Sequence, residues 1–335
     1  MKTTTSKTKP GRLLILPSCL LCATLLQGAQ LVTVRNPSLP VAPGGNGDSS
    51  LPLPSANGRF VLFTSVANNL VIASNNAAPA VSGLLSPLNA YLRDRNNAVT
   101  TLISVNLAGT NGGNGDSYAV GISTNGRYVL FVTSASDLSP GDSHNAADVL
   151  VRDLLAGTNI LVSAATNSLP GNGDSDSAAM TPDGRYVAFV SAASNLVAED
   201  TNGIRDVFVR DLVTGKATLA SAGAQLSQGR SEAPLITPDG RYVAFFSNAT
   251  NLVPGVPQSG GEIYVRDLVG KTTVWASAYA REALQLFQNA NNPVSFGHVI
   301  SADGQFVAYE VSPSSWPSTG IVLRYSLETE KGVKP

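Results

Sequence analysis

Nine residues, TPDGRYVAF, stand at 181–189 and again, letter for letter, at 237–245. A chain that writes one segment twice is built from a repeating unit, and that restricts its fold more than any other feature. Three divergent copies extend the pair: SANGRFVLF from Ser55, STNGRYVLF from Ser123 and SADGQFVAY from Ser301. Their turn glycines, at 58, 126, 184, 240 and 304, are spaced by 68, 58, 56 and 64 residues. A second marker keeps the same phase. AYLRD ends at Asp94, VLVRD at Asp153, VFVRD at Asp211 and IYVRD at Asp267, with VLRY at 322–325 in the last unit. Periods near 60 residues point to a solenoid, a propeller or an array.

Each unit divides into four strands, A to D, read in the third unit over 177–181, 185–191, 206–212 and 217–221. Between A and B, Thr-Pro-Asp-Gly supplies a proline with preset φ and a glycine able to take the left-handed conformation that such a hairpin turn requires. Strand B is apolar on both faces: Tyr186, Ala188 and Val190 alternate with Val187 and Phe189. Such a strand must be covered on both sides, and radial stacking of four-stranded sheets does this without a long bare edge. The composition agrees, since 13% charged residues with 31 Gly and 20 Pro means many turns and few solvent-facing helices. The expected fold is therefore an all-β propeller of about five four-stranded blades. The last unit has no evident strand D, whereas residues 30–35, QLVTVR, resemble one with no B or C before it. The ring is expected to close with mixed N- and C-terminal strands, 30–35 pairing with 321–327.

With the strand, P-D-G turn and aromatic-rich strand in place, the repeats resemble the WD40-like (PD40), TolB-type β-propeller repeats. The resemblance covers nearly all of the chain after its first 29 residues. It implies a propeller fold; the superfamily includes scaffolds, binding modules and propellers fused to enzymes, so it implies no single activity. The extra N-terminal domain of TolB has no counterpart here, and a role in that envelope complex does not carry over.

Residues 1–29 read as a signal peptide: Lys2, Lys7, Lys9 and Arg12 precede an apolar run from Leu13 to Leu26, and Gly28-Ala29 offers a small-residue cleavage site. A retained anchor is the bland alternative. A lipoprotein site at Cys19 ranks lower, because the apolar run continues past it. Both cysteines, Cys19 and Cys22, lie in this segment, so residues 30–335, taken as a single propeller domain, hold no thiol. Beyond the segment, 18 of the 22 basic residues face 23 acids, a net charge of −5. That balance excludes an electrostatic footprint for nucleic acid. The expectation is an exported monomer, periplasmic or secreted, with no membrane span after signal removal.

Strand parity puts the short A–B and C–D turns on one face and the longer B–C and D–A loops on the other. Function in a repeat protein sits where loops vary on a rigid frame. The B–C loop is expanded in the first unit, bringing Leu84 and Leu85, and the fourth D–A loop carries an insertion, with Leu286 and Phe287, that reads as a short helix. These four apolar residues are the candidate partner-binding surface, for a protein or a glycan.

Among polar candidates, AEDTNGIRD places Asp200, Asn202 and Asp206 like the oxygen ligands of a calcium loop, and the preceding unit offers Asp142 and Asp148 at the same separation. Calcium is thus a possible ligand, weighed against Asx-turns that simply tie down the loop. Gly-Asp-Ser recurs at 47, 115, 141 and 173, which marks it as loop structure, since a catalytic nucleophile is needed once. His298, on the strand expected nearest the axis, stands with Asp176 and Glu232 at similar depth in other units. A non-catalytic binding or scaffold propeller is the favoured reading. A hydrolase or lyase acting in the central funnel is the alternative.

Overall fold

The computed structural model describes residues 45–71, 87–144, 146–200, 202–223, 229–257, 260–288, 293–313 and 321–327. Within them lie five antiparallel sheets in chain order. The first holds β1 (Ser49–Pro54), β2 (Phe60–Ser65), β3 (Asn89–Asp94) and β4 (Val99–Leu102). The second holds β5 (Ser117–Ile122), β6 (Tyr128–Thr133), β7 (Asp148–Asp153) and β8 (Thr158–Leu161). In the third are β9 (Ser175–Met180), β10 (Tyr186–Ser191), β11 (Asp206–Asp211) and β12 (Ala217–Leu219). The fourth comprises β13 (Ser231–Ile236), β14 (Tyr242–Ser247), β15 (Glu262–Asp267) and β16 (Thr272–Trp275). The fifth has three strands, β17 (Pro293–Ile300), β18 (Phe306–Pro313) and β19 (Ile321–Ser326), and the insertion before it forms the helix α1 (Ala280–Gln288).

Every sheet runs up and down, and each packs face to face on the next. Four hydrophobic cores result, one per junction. Leu62 and Leu92 meet Val129 and Phe131 between the first two sheets; Leu130 and Val151 meet Phe189 and Phe208 between the second and third. Val190 and Val209 meet Phe245 and Tyr264 at the next junction, and Ala244 and Val265 meet Tyr309 and Val311 at the last. The first strands β5, β9, β13 and β17 also lie beside one another, as strands around a common axis do. The chain is an all-β propeller of stacked sheets. The doubly apolar B strands are explained by it, since each contributes to two junctions. Residues 30–35, expected to close the ring, lie outside the described residues.

The repeated markers turn out to be the two halves of one device. The arginine that follows the turn glycine pairs with the aspartate that ends strand C: Arg59 with Asp94, Arg127 with Asp153, Arg185 with Asp211 and Arg241 with Asp267, each through Nε and Nη2. Each of these guanidiniums also lies 4.6–4.8 Å over the ring of the next residue, Phe60, Tyr128, Tyr186 or Tyr242. In the fifth sheet both partners are lost together, Gln305 replacing the arginine and Ser326 standing opposite Phe306 at the place of the aspartate, and Arg324 from β19 lies above Phe306 instead.

Of the V-R-D arginines, Arg210 anchors backbone carbonyls, donating to those of Val162, Ala164 and Gly215. Arg93, Arg152 and Arg266 reach instead across to Thr100, Asn159 and Thr273 on the neighbouring strand.

The turn glycines have a second duty. With φ of +73°, +80°, +72° and +70°, Gly126, Gly184, Gly240 and Gly304 each sit on the strand-B aromatic of the preceding sheet. A Cβ at these positions would come within 2.2–2.4 Å of a ring carbon of Phe60, Tyr128, Tyr186 or Tyr242. Gly58 meets only Arg95 Nη1, at 3.8 Å. The glycine of one unit therefore registers against the aromatic of the last.

Candidate functional site

Repetition supplies a way to separate scaffold from site. Where a residue does the same structural work in every sheet it recurs; where it diverges at one equivalent position, the frame does not require it. The first strands show both kinds side by side. Ser49, Ser117, Ser175 and Ser231 each bond through Oγ to the hydroxyl of the paired strand-B residue, Ser65, Thr133, Ser191 or Ser247, at 2.8–3.0 Å. This accounts for the serine of Gly-Asp-Ser in the copies at 47, 115 and 173. Its aspartate caps a neighbouring loop, Asp116 accepting from the Leu88 N–H and Asp174 from the Ala147 N–H at 2.9 Å.

One residue further along, the identities scatter: Ser50, Tyr118, Asp176, Glu232 and Phe296 occupy equivalent places in the register. Immediately after this place four of the first strands are bulged, and in the second sheet the irregularity comes one residue later, between Ala119 and Gly121. Leu51, Ser177 and Ala233 take left-handed φ of 53°, 47° and 52°, and Gly297 takes 58°. A non-glycine residue in that region costs on the order of 1–3 kcal/mol, so three of them at one place mark a conformation that the surroundings enforce. A bulge re-aims the side chains beside it. These lie at the end of the sheets that carries the longer loops.

Between the third and fourth sheets the place is charged. Asp176 binds Arg205 through both oxygens, at 2.5 and 3.0 Å. Glu232 stands 3.5 Å from Arg205 Nε and 3.3 Å from Arg230 Nε. Between the fourth and fifth sheets it opens into a cavity of about 540 Å³, lined by Arg230, Glu232, Phe246, Val294, Phe296 and His298 among others. His298 is buried, its Nε2 has no hydrogen-bond partner, and burial pushes its pKa down, keeping the imidazole neutral. The site thus combines an apolar wall, alternating charges at its mouth and one neutral base.

The remaining sequence candidates fall elsewhere. Leu286 is 76% exposed on α1, while Leu284 on the same helix is buried in the last core. Leu84 and Leu85 lie outside the described residues, as does the side chain of Phe287. Asp142 and Asp148 come together, with His144 between them in sequence, their ligand atoms all within 4.8 Å of one another. In the third sheet Asn202 instead donates Nδ2 to Asp206 Oδ2 at 3.0 Å and its backbone N–H to Asp200 Oδ1. Burial raises the pKa of Asp148 to about 6 and pushes Asp200 and Asp206 in the same direction. The charged ladder was partly legible, because Asp176 and Glu232 stood out at equal depth. Arg205 and Arg230 were not noticed, although each directly precedes a strand, where a long side chain reaches the sheet end.

No family model matches the sequence, and no curated protein matches it. Among solved structures, the chain is similar to a TolB-type protein of Agrobacterium tumefaciens (17% identity over 84% of this chain and 78% of that one, TM-score 0.44). It is also similar to an acylaminoacyl peptidase of Pyrococcus horikoshii (12%, 84% and 38%, TM-score 0.43) and to the tricorn protease (12%, 84% and 35%, TM-score 0.39). The chain spans little more than a third of those two enzymes. At such identities and scores the likeness transfers no activity. Among the described residues no helix is long and apolar enough to cross a membrane.

Proposed function

We propose that the protein is an exported, non-catalytic β-propeller of the TolB-like, PD40 type that binds a protein or glycan partner. The partner seats on the long-loop ends of the first strands. The observation that carries this reading is the divergence at Ser50, Tyr118, Asp176, Glu232 and Phe296, beside a bulge held in every sheet. A repeated frame with one differing residue per sheet presents a composite surface, and the cavity at Phe296 gives it an apolar anchor point rimmed by charge. The acids there are paired with arginines, which suits recognition better than proton transfer.

The test is capture from an envelope extract or culture supernatant, with residues 30–335 as bait. The double variant Tyr118→Ala/Phe296→Ala should lose at least about tenfold in capture of the protein or glycan that the unaltered bait retains. Thr214→Ala/Lys216→Ala, on the opposite short-turn face, should capture normally. The reverse pattern, with both variants folded, would put the site on the wrong face.

A hydrolase or lyase in the same funnel is the second reading, and His298 is the observation that favours it: a neutral imidazole beside a cavity is the form a general base takes. Turnover of a peptide or oligosaccharide by the protein, abolished in His298→Ala, would establish that reading over the first.

A further inference from the structure

We propose that the loop between β6 and β7 is a binding site for one divalent transition-metal ion of the zinc class, held by Asp142, His144 and Asp148. Their ligand atoms lie within 4.8 Å of one another. Acidic groups gather on many surfaces without an ion, but this set has an inner wall. Asp148 is 1% exposed, and only one of its oxygens is engaged, Oδ1 accepting from Ser163 Oγ at 2.6 Å. Its Oδ2 is buried with no partner at all. A buried carboxylate oxygen without a donor is costly, and a cation satisfies it directly.

The imidazole adds a second indication. His144 Nδ1 accepts from the Ala146 N–H at the long distance of 3.3 Å, and a metal ion is the competing partner for that one lone pair. Asp142 Oδ1 lies 3.4 Å from that same nitrogen. Each of the two atoms accepts one long backbone bond, Asp142 Oδ1 from the His144 N–H at 3.2 Å and Nδ1 from the Ala146 N–H. Ligands at about 2.0–2.1 Å from a tetrahedral zinc ion stand roughly 3.4 Å apart, so the spacing is that of two atoms sharing an ion.

Comparison across the repeat makes the site specific to the second sheet. The residue that opens strand C accepts from a serine beyond strand D in four sheets: Asn89 from Ser104, Asp148 from Ser163, Asp206 from Ser221 and Glu262 from Ser277. That bond is scaffold. The second oxygen is what varies. In the third sheet Asn202, at the place of His144, plugs it with its own amide. In the fourth, Trp275 Nε1 donates to the same Glu262 oxygen that Ser277 uses, and Val256 stands where a second acid would be needed. Only the second sheet, among the described residues, replaces the plug with a nitrogen ligand. One imidazole and two carboxylates suit a borderline ion, whereas calcium asks for six to eight oxygens. Of the five residues that the sequence offers as oxygen ligands, the proposal uses Asp142 and Asp148, with His144 added, while Asn202 bridges Asp200 and Asp206 by its own hydrogen bonds.

The experiment uses residues 30–335 stripped with chelator. Zinc chloride at a hundredfold excess over Kd should raise Tm by roughly 5 °C with one-to-one stoichiometry. Cobalt(II) should give the intense visible absorption of a tetrahedral site. His144→Ala should weaken cobalt binding at least about tenfold and remove the band, with the metal-free Tm of the variant checking that it is folded. Asn202→Ala in the third sheet should leave both unchanged. Absence of any zinc shift, or a cobalt band that survives in His144→Ala, would overturn the site. So would a calcium-induced rise in Tm equal in the two proteins.

Discussion

Gly240→Ala is expected to destabilise the protein by about 3–4 kcal/mol, although it adds a single methyl group to a surface turn. Two costs combine. The residue sits at φ +72°, where an L side chain is strained, and its Cβ would stand 2.2 Å from Cδ2 of Tyr186 on the preceding sheet. Tyr186 cannot swing away freely, because Arg185 lies over its ring at 4.7 Å while paired to Asp211. Gly215→Ala provides the control: its φ is +70° but nothing lies within 4 Å of the added carbon. That variant should lose only about 1 kcal/mol, the cost of the backbone conformation alone. In the Tyr186→Ala background the penalty at Gly240 should shrink to the control's value. Urea midpoints of the four proteins measure the coupling, and additive effects would show that glycine and ring do not register the sheets.

Asp153→Ala should cost about 2–3 kcal/mol and change the response to acid. The carboxylate is 5% exposed and accepts four hydrogen bonds, from Arg127 Nε and Nη2 and from the backbone N–H groups of Leu155 and Ala156. Arg127 is 39% exposed, so water screens part of the ion pair and most of the loss comes from the unsatisfied turn. The hydrogen bonds from Arg127 hold the Asp153 pKa down at about 2. A depressed carboxylate stabilises the folded form fully above its unfolded pKa, near 4, and the contribution disappears as pH falls through about 2. The parent should therefore lose stability between pH 4 and pH 2, and the variant should lose less over that window. Equal slopes in the two proteins would mean that the pair contributes nothing to acid sensitivity.

The sheets were legible because three signals coincide in each unit: turn chemistry, doubly apolar strands and a fixed period. Strand B of the third sheet was read over 185–191 and is found at Tyr186–Ser191; the insertion read as a short helix is α1. Strand A began two residues earlier than expected, at Ser175, because its serine bonds to Ser191 across the pair and extends the ladder. The bulges were not legible at all. In three sheets their left-handed residues are Leu51, Ser177 and Ala233, side chains with no preference for that conformation, imposed by neighbours that local sequence does not name. The Arg–Asp pairing was within reach, since both markers kept phase and both fail together at Gln305 and Ser326. The end of the sheets proposed to bind was harder, because its residues share a place but no type. Divergence becomes a signal only once the register says which residues to compare.

Hydrogen exchange on residues 30–335, with and without the captured partner, tests the central claim most directly: that the frame repeats while the diverging ends of the first strands bind. Protection on binding should appear at 117–120, 175–178, 231–234 and 294–298, with the short turns at 182–184 and 238–240 unchanged. Protection confined to those turns, with the first strands exchanging as in the free protein, would contradict it.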